Sequence, residues 1–287
     1  MRLGVSLDIK SDDPEVIARA YLAAGYSAAG CPPVSLDQPE RIRAIRETFS
    51  RYDLCLAEVG VWNNMLDPDP VHRAANLEVN IQKLALADEI GALCCVNIAG
   101  SFNPARWDGP DPRNLSEQAF ELTVENVRKI IDAVKPKRSF YTLETMPWVI
   151  PDSPDSYLRL IQAVDRPMLG VHLDPVNMIN CPARYYDNVG FLRECFTRLG
   201  KWIISCHGKD IQMSDQLTVH LQEVRPGLGA LDYRTFLIEL NRLPGNIPLI
   251  LEHLPGEEYP LAQKYVLDKA KENGISFYQP ELLADNR

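Results

Sequence analysis

The sequence has 287 residues, of which 46% are hydrophobic and 24% charged, with a formal net charge of −9. Such a composition is typical of a soluble globular protein. The acidic balance argues against non-specific binding of nucleic acid, which depends on Lys and Arg side chains that neutralise phosphates. It does not exclude an anionic substrate, because a local pocket can still be positive.

The N-terminal stretch Met1-Arg-Leu-Gly-Val-Ser6 enters a strand pattern at once, without the features of a signal peptide. The chain has no apolar run of membrane length, so we expect no membrane association. Its seven cysteines are an odd number and form no CxxC pair of the metal-binding type. Five of them lie in apolar runs and are expected to be buried thiols: Cys31, Cys55, Cys94, Cys95 and Cys206. These features predict a cytoplasmic protein in a reducing environment.

Strand and helix patterns alternate along the whole chain. The first predicted helix has Pro14 in its first turn and Gly25 past its end, and Ser116 is expected to cap the fourth. The predicted strands span 2–7, 27–31, 54–60, 93–99, 140–145, 168–174, 203–207 and 248–252. The predicted helices span 14–24, 39–50, 71–90, 116–134, 153–164, 188–199, 232–240 and 258–272.

This alternation predicts the fold class. Apolar strands without a polar face, each followed by a helix, favour a parallel sheet that is covered by helices. Eight such units in a chain of this length favour a closed (β/α)8 TIM barrel, with residues 1–287 as one domain. The alternative is an open doubly wound sheet. That fold normally carries a glycine-rich fingerprint after the first strand, and Ser6-Leu-Asp-Ile-Lys10 is not one.

Four predicted strands end in a side chain that can bind a metal: Glu144, Asp174, His207 and Glu252. The carboxyl ends of barrel strands meet at the active face, so we expect these side chains to lie together. Three carboxylates and one imidazole suit Mn²⁺, Mg²⁺ or Co²⁺, whereas Zn²⁺ is less favoured without thiolates. Buried together, three carboxylates would repel one another strongly without a cation.

Each of the four also has a structural interpretation. Glu144 could cap the following helix, and Asp174 before Pro175 could form an Asx-turn. His207 could be a hydrogen-bonded core histidine, and Glu252 could pair with a Lys or Arg. For any single residue, a structural role is about as probable as metal binding, but four structural roles do not account for the shared position of all four at strand ends.

Six more residues are predicted to bind substrate: His172, Lys209, Glu58, Asn97, Trp107 and Arg225. His172 shares a strand face with Asp174, and Lys209 shares one with His207. Arg225 could instead lie on the surface. Trp107 follows a strand end, as Trp62 and Trp148 do, and the three could wall a pocket or pack as ordinary apolar side chains. We expect the segments 62–69 and 100–114 to form a mobile rim.

Taken in order, these stretches resemble the xylose isomerase-like TIM barrels over essentially the whole chain. That family includes sugar isomerases and epimerases, inosose isomerases and dehydratases, and endonuclease IV. The most specific matches are Leu143-Glu144, Leu173-Asp174-Pro175, Cys206-His207-Gly-Lys-Asp210, Leu251-Glu252, and Pro226-Gly-Leu-Gly-Ala-Leu-Asp232-Tyr, which is similar to the family's Gly-x-Gly-x-x-Asp loop.

The resemblance implies one divalent metal ion, with Mn²⁺ preferred, bound by Glu144, Asp174, His207 and Glu252. Two positions depart from the sugar epimerases: Asn177 stands where several have His, and Met213 where some have Arg. The identity of the substrate is therefore not borrowed from those enzymes.

The leading prediction is an isomerase or epimerase that moves a proton next to the carbonyl of a keto sugar or polyol, through a metal-stabilised ene-diolate. Glu144 and Glu252 are the predicted acid–base pair. One alternative is a metal-dependent dehydratase or lyase on a keto sugar or cyclitol, similar to inosose dehydratase. Two others are an endonuclease IV-like DNA repair enzyme, which the five His residues and the net charge oppose, and a non-catalytic binding protein. The expected partner is a small molecule, and homo-oligomerisation is left open.

Overall fold

In a computed structural model that describes residues 1–280, eight parallel strands close into a barrel surrounded by helices. This confirms the predicted (β/α)8 barrel; residues 281–287 of the predicted domain lie outside the described residues. The barrel strands are β1 (Arg2–Val5), β2 (Ala28–Gly30), β3 (Cys55–Gly60), β4 (Cys94–Asn97), β5 (Phe140–Glu144), β6 (Leu169–Leu173), β7 (Ile203–Gly208) and β10 (Pro248–Leu251). They follow one another around the barrel in chain order, and β10 closes it against β1.

Eight helices lie near the predicted positions. They are α1 (Pro14–Ala23), α2 (Pro39–Arg51), α3 (Pro70–Ile90), α4 (Glu117–Val134), α5 (Pro154–Val164), α8 (Asn188–Leu199), α9 (Tyr233–Arg242) and α10 (Tyr259–Glu272). Proline stands in the first turn of α1, α2, α3, α5 and α10, where its missing N–H has no intrahelical partner to lose. Ser116 caps α4 as predicted, since its side chain accepts a hydrogen bond from the Ala119 N–H.

Several elements were not predicted. Two short helices, α6 (Pro175–Met178) and α7 (Pro182–Tyr186), lie between β6 and α8. An antiparallel hairpin of β8 (Asp210–Met213) and β9 (Leu221–Val224) follows β7, outside the barrel sheet. Three short 3-10 segments complete the structure: Pro112–Leu115, Gly200–Trp202 and Gly256–Glu258. The insertions after β6 and β7 therefore enlarge the face at which the predicted site residues emerge.

Successive residues of each barrel strand face opposite sides, as in any strand. On β5, Tyr141 and Leu143 face the helices and belong to the main apolar core, whereas Glu144 faces the barrel axis. A small apolar cluster fills part of the barrel interior: Ala28, Ala57 and Ile250, with Cys55 packed against it. Toward the carboxyl ends of the strands, the inner face carries Glu58, Glu144, His172 and His207. Within residues 1–280, no helix is both long enough and apolar enough to cross a membrane.

Candidate metal and substrate site

A cavity of about 650 Å³ opens at the carboxyl ends of the barrel strands. Charged side chains line its floor and aromatic rings line its walls. The lining includes Glu58, Glu144, Lys209, Glu223, Glu252, His253, Trp62, Trp107, Trp148 and Tyr259. A larger groove of about 910 Å³ lies on the outer surface between α3, α4 and α5, but none of these side chains lines it. The chemistry of the described residues is therefore concentrated in the barrel mouth.

Glu144, Asp174, His207 and Glu252, the four-residue group, converge at the floor of this cavity. Each offers one donor atom, and all four atoms lie within 4.8 Å of one another. The His207 Nδ1 atom is 2.8 Å from a carboxylate oxygen of Glu252 and 3.0 Å from one of Glu144. The same nitrogen is 3.9 Å from Asp174 Oδ2. The structure thus brings together the four predicted ligands, and the donor set can hold a divalent metal.

The Lys209 ammonium group lies among the same carboxylates. Its Nζ atom is 2.7 Å from Glu252 Oε1 and 2.8 Å from Asp174 Oδ2, and it is 3.6 Å from oxygens of both Glu144 and Glu223. Lys209 therefore forms close ion pairs with Glu252 and Asp174 and compensates part of their negative charge. A carboxylate oxygen has more than one lone pair, so each can still bind a cation beside the ammonium. The convergence of three carboxylates and one imidazole fits a metal site.

The local charges shift the pKa values of these groups. Burial alone would lower the pKa of His207, but the carboxylates of Glu252 and Glu144 outweigh burial and raise it well above the usual range. Burial raises the pKa of Glu144 to about 7, with the nearby Glu252 adding to the rise while His207 opposes it. For Glu252, burial acts upward, but His207 and Lys209 prevail and hold its pKa below the usual range. Without a metal, His207 therefore holds a proton that a metal ligand must lose.

Two hydrogen bonds from Asn177 fix the orientation of Asp174 and Glu144. Asp174 caps α6, because its Oδ1 accepts a hydrogen bond from the Asn177 N–H at 3.1 Å, and this leaves its Oδ2 toward the other ligands. Asn177 also donates from Nδ2 to Glu144 Oε1 at 3.1 Å. The turn predicted for Asp174 and its place in the group are thus compatible. Glu144 does not cap α5; Ser153 does.

His172 and Glu58, two predicted substrate contacts, lie on the opposite side of His207 from the four-residue group. The His172 ring stands edge-on to the His207 ring, with 4.0 Å between their centroids. Glu58 Oε2 is 3.8 Å from His207 Nε2 and 3.9 Å from His172 Nδ1. Burial, with a smaller effect of His207, lowers the pKa of His172 well below its usual range, so this ring is neutral.

Asn97 and Arg225 do not lie at the cavity. Asn97 is fully buried and donates from Nδ2 to the side-chain oxygens of Asn63 and Asn80, both at 3.0 Å. Asn80 belongs to α3, so Asn97 faces the helices, as the strand alternation requires. Arg225 pairs with Glu258 at 3.3 Å and donates to the Pro226 carbonyl, outside the set of cavity-lining residues. The structure thus opposes the predicted substrate contact for both, whereas Trp107 does line the cavity.

Glu223 and His253 are among the charged residues that line the cavity but were not predicted from the sequence. Glu223 lies on β9 and approaches Lys209 at 3.6 Å and His253 at 3.2 Å. The hydrogen bond to Glu223 raises the pKa of His253, with Glu252 acting in the same direction against burial. The stretch Leu221-Gln-Glu-Val224 does not alternate strictly between apolar and polar residues, and four residues are too few to identify an inserted hairpin.

Asp210 organises the loop that links the hairpin to α9. Its carboxylate accepts hydrogen bonds from the backbone N–H groups of Gly227, Gly229 and Leu231 at 2.9–3.0 Å. At Gly229, a Cβ atom would lie 2.3 Å from Asp210 Oδ1, so a larger residue would push the loop away. The glycine-containing loop is thus packed directly against the segment that carries His207 and Lys209.

Three comparisons with known proteins bear on the chain. The model of the xylose isomerase-like TIM barrel family matches residues 18–270, and a search of curated proteins gave no match. Endonuclease IV from Thermus thermophilus is similar in fold, with a TM-score of 0.71 and 16% identity over 95% of this chain and 100% of that one. The probable 3-DHS dehydratase AsbF from Bacillus anthracis has a TM-score of 0.68 and 16% identity, over 95% of this chain and 99% of that one. D-psicose 3-epimerase from Clostridium cellulolyticum, solved with D-tagatose, has a TM-score of 0.64 and 12% identity, over 96% of this chain and 98% of that one. At these identities the three structures show the fold alone.

Proposed function

Because this chain belongs to the xylose isomerase-like TIM barrel family, whose model matches residues 18–270, we propose that it is a divalent-metal-dependent isomerase or epimerase of a keto sugar or related polyol. One observation carries the proposal. Glu144 and Glu252 both line the cavity, and both approach the same nitrogen of His207. Two carboxylates converging beside a candidate metal ligand can reach one substrate carbon from two directions.

The four-residue group would hold the metal, here proposed to be one Mn²⁺ ion. Three carboxylates and one imidazole are a mostly hard donor set, which suits Mn²⁺ or Mg²⁺ better than Zn²⁺. When bound, a divalent ion supplies Lewis-acid polarisation of a substrate carbonyl. The convergence of four donor atoms within 4.8 Å of one another supports this assignment, because three buried carboxylates carry more negative charge than the Lys209 ammonium alone compensates.

The proton transfer is assigned to Glu144 and Glu252. Both carboxylates line the cavity, where each can exchange a proton with a substrate carbon. Glu252 stays ionised and would exchange a proton on the other side of the substrate. Lys209 is placed to donate a hydrogen bond to a substrate oxygen, and Asn177 keeps Glu144 in position.

The cavity walls support a sugar or cyclitol as substrate. Trp62, Trp107 and Trp148 line the cavity above the charged floor. Aromatic rings present flat apolar faces, and the C–H faces of a sugar pack against them while its hydroxyls reach polar groups. Trp148 is fixed by a hydrogen bond from Nε1 to the Asp108 carbonyl at 2.8 Å.

A dehydratase or lyase acting on a keto sugar or cyclitol is the second candidate. The observation that favours it is His253 at the cavity, whose raised pKa makes it an acid able to protonate a leaving hydroxyl. The first step, removal of a proton next to a carbonyl, is the same in both reactions. In D₂O an isomerase or epimerase incorporates deuterium into a product of unchanged formula, whereas elimination gives a product shorter by its leaving group.

The test is a screen of keto sugars, cyclitols and their phosphates with Mn²⁺, followed by Glu144→Gln and Glu252→Gln. Gln keeps the size and one oxygen ligand but cannot act as a base. Each variant should retain most of its metal and lose about 10²–10⁴-fold in turnover. The matched control is Glu47→Gln, an exposed glutamate on α2, which should change neither. A Gln variant with full metal and near-normal turnover removes that residue from the pair.

A further inference from the structure

A second group of possible ligands lies inside the barrel. Glu58 from β3, His172 from β6 and His207 from β7 each offer one atom, and these atoms lie within 4.8 Å of one another. The group uses the Nε2 atom of His207, whereas the four-residue group uses Nδ1. The two groups thus share one imidazole ring but no donor atom.

The polar atoms of this second group lack hydrogen-bond partners among the described residues: Glu58 Oε2, His172 Nδ1, His172 Nε2 and His207 Nε2. The three residues are 7%, 0% and 1% exposed, so bulk water does not compensate them. A buried carboxylate without a donor is costly, and so is a buried imidazole nitrogen without a partner. Lys209, the buried ammonium nearby, is in contact with Asp174 and Glu252 instead.

We propose that Glu58, His172 and His207 form a second divalent-cation site, distinct from the four-residue group and selective for Zn²⁺ or Co²⁺. Two imidazoles and one carboxylate are the donor set of several catalytic zinc sites, with a fourth position left open. It is richer in nitrogen than the four-residue group and so prefers a softer ion. Neither ring nitrogen of His172 has a hydrogen-bond partner among the described residues, so one of them can bind the ion.

The spacing of the donors suits such an ion after a small contraction. Metal bonds of about 2.0–2.2 Å place the donors of a tetrahedral site about 3.3–3.6 Å apart. The Glu58 oxygen is 3.8 Å from His207 Nε2 and 3.9 Å from His172 Nδ1, so a shift of a few tenths of an ångström brings Glu58 to that distance from each imidazole. All three donor atoms lie within 4.8 Å of one another. Glu58 also lines the cavity, which gives an ion a route from solvent.

Sharing His207 makes the second ion the weaker of the two. A ring that binds metals through both nitrogens must give up its N–H proton as well, which a singly bound imidazole keeps. We therefore expect two classes of sites, with the Glu58 site filled after the four-residue group. The proposed function needs one ion only, so it does not depend on this site.

The test is a titration of metal-free protein with Zn²⁺ and with Co²⁺ by calorimetry, followed by elemental analysis of the saturated protein. The wild-type chain should bind two ions, and Glu58→Gln and His172→Gln should each bind one. Asp174→Ala should lose an ion from the four-residue group instead. Glu223→Gln, a cavity carboxylate outside both groups, is the control and should keep two. Circular dichroism of each variant checks the fold before the ions are counted.

Two outcomes overturn the proposal. The first is a single ion per folded wild-type chain at saturation with both metals; Glu58 then serves only to accept a hydrogen bond from His207 Nε2 and orient that ligand. The second is two ions in both folded variants, Glu58→Gln and His172→Gln, which places the second ion elsewhere. If one of these variants fails to fold, the other still decides. Turnover with Mn²⁺ remains a separate measurement, so failure here is distinguishable from failure of the proposed function.

Discussion

The two faces of β6 bury different kinds of side chain, although they belong to one strand. Leu169, Val171 and Leu173 point outward into the apolar layer between barrel and helices, and all are essentially fully buried. His172 and Asp174, their neighbours in sequence, are equally buried, but they point inward among charged groups. Equal burial therefore stabilises the fold on the outer face but costs free energy on the inner face.

On the outer face, burial stabilises the fold at about 25 cal/mol for each Å² of apolar surface removed from water. On the inner face, burial of like-charged carboxylates costs free energy until a cation compensates it. The Lys209 ammonium compensates part of this charge, and a divalent ion would compensate more. The contrast suggests that stability and site chemistry can be separated by changing adjacent residues.

The largest expected effect comes from the adjacent pair Leu173→Ala and Asp174→Ala. Leu173→Ala removes outer-face packing and should lower the free energy of unfolding by about 2–5 kcal/mol, with Mn²⁺ occupancy unchanged. Asp174→Ala should abolish tight Mn²⁺ binding, with a smaller stability loss from the missing cap of α6, about 1 kcal/mol. Metal analysis and urea unfolding of both proteins measure this. Full Mn²⁺ occupancy in Asp174→Ala would contradict the assignment, as would loss of Mn²⁺ from folded Leu173→Ala.

The inward ligands could be predicted because each stands at the carboxyl end of a predicted barrel strand. Asp174 comes two residues after His172 and just before a proline, so its strand face and its strand end were both visible in the sequence. Asn97 was placed wrongly for a physical reason. Its strand is apolar at nearly every position, so the sequence alone does not indicate which face points inward.

The sequence also did not predict the hairpin of β8 and β9 or its contribution to the cavity. Which way Arg225 turns depends on the loop that Asp210 organises and on its pairing with Glu258, and both are tertiary contacts. Glu58 could be assigned to a strand facing the barrel axis, but its depth relative to His207 depends on the register between strands, which shifts near Gly30. Position on a strand was thus easier to predict than height in the barrel.

A second, intermediate effect is the pH dependence of Mn²⁺ binding at the inner face. The metal needs a free ring nitrogen of His207, but nearby carboxylates raise the pKa of this ring, so binding displaces a proton. Affinity should therefore increase about tenfold per pH unit while His207 is protonated in the free protein. Below about 7, where Glu144 is also protonated, a second proton adds to the slope. Calorimetric dissociation constants from pH 5.5 to 8, a range of about 2.5 units around these groups, test this; a flat profile would contradict it.

The smallest expected effect separates two asparagines that lie on opposite sides of the barrel wall. Asn97 bonds to Asn63 and Asn80 behind the wall, and Tyr141 donates to Asn80 Oδ1 at 2.7 Å in the same network. Asn97→Ala leaves buried polar atoms unpaired, which costs about 1–3 kcal/mol of stability, and it should leave the Mn²⁺ dissociation constant unchanged.

Asn177→Ala is the matched control on the cavity side. Its amide contacts Glu144, and it is only half-buried, so its loss should cost less stability yet weaken Mn²⁺ binding through a less ordered ligand. Thermal unfolding and Mn²⁺ titration of both variants give the comparison. If Asn97→Ala weakened Mn²⁺ binding as much as Asn177→Ala does, a residue on the outer face of β4 would affect the metal site, and the proposed separation of the two faces would be wrong. If only Asn177→Ala weakens Mn²⁺ binding, Asn97 contributes to stability but not to the metal site, and the site depends on inward-facing residues alone.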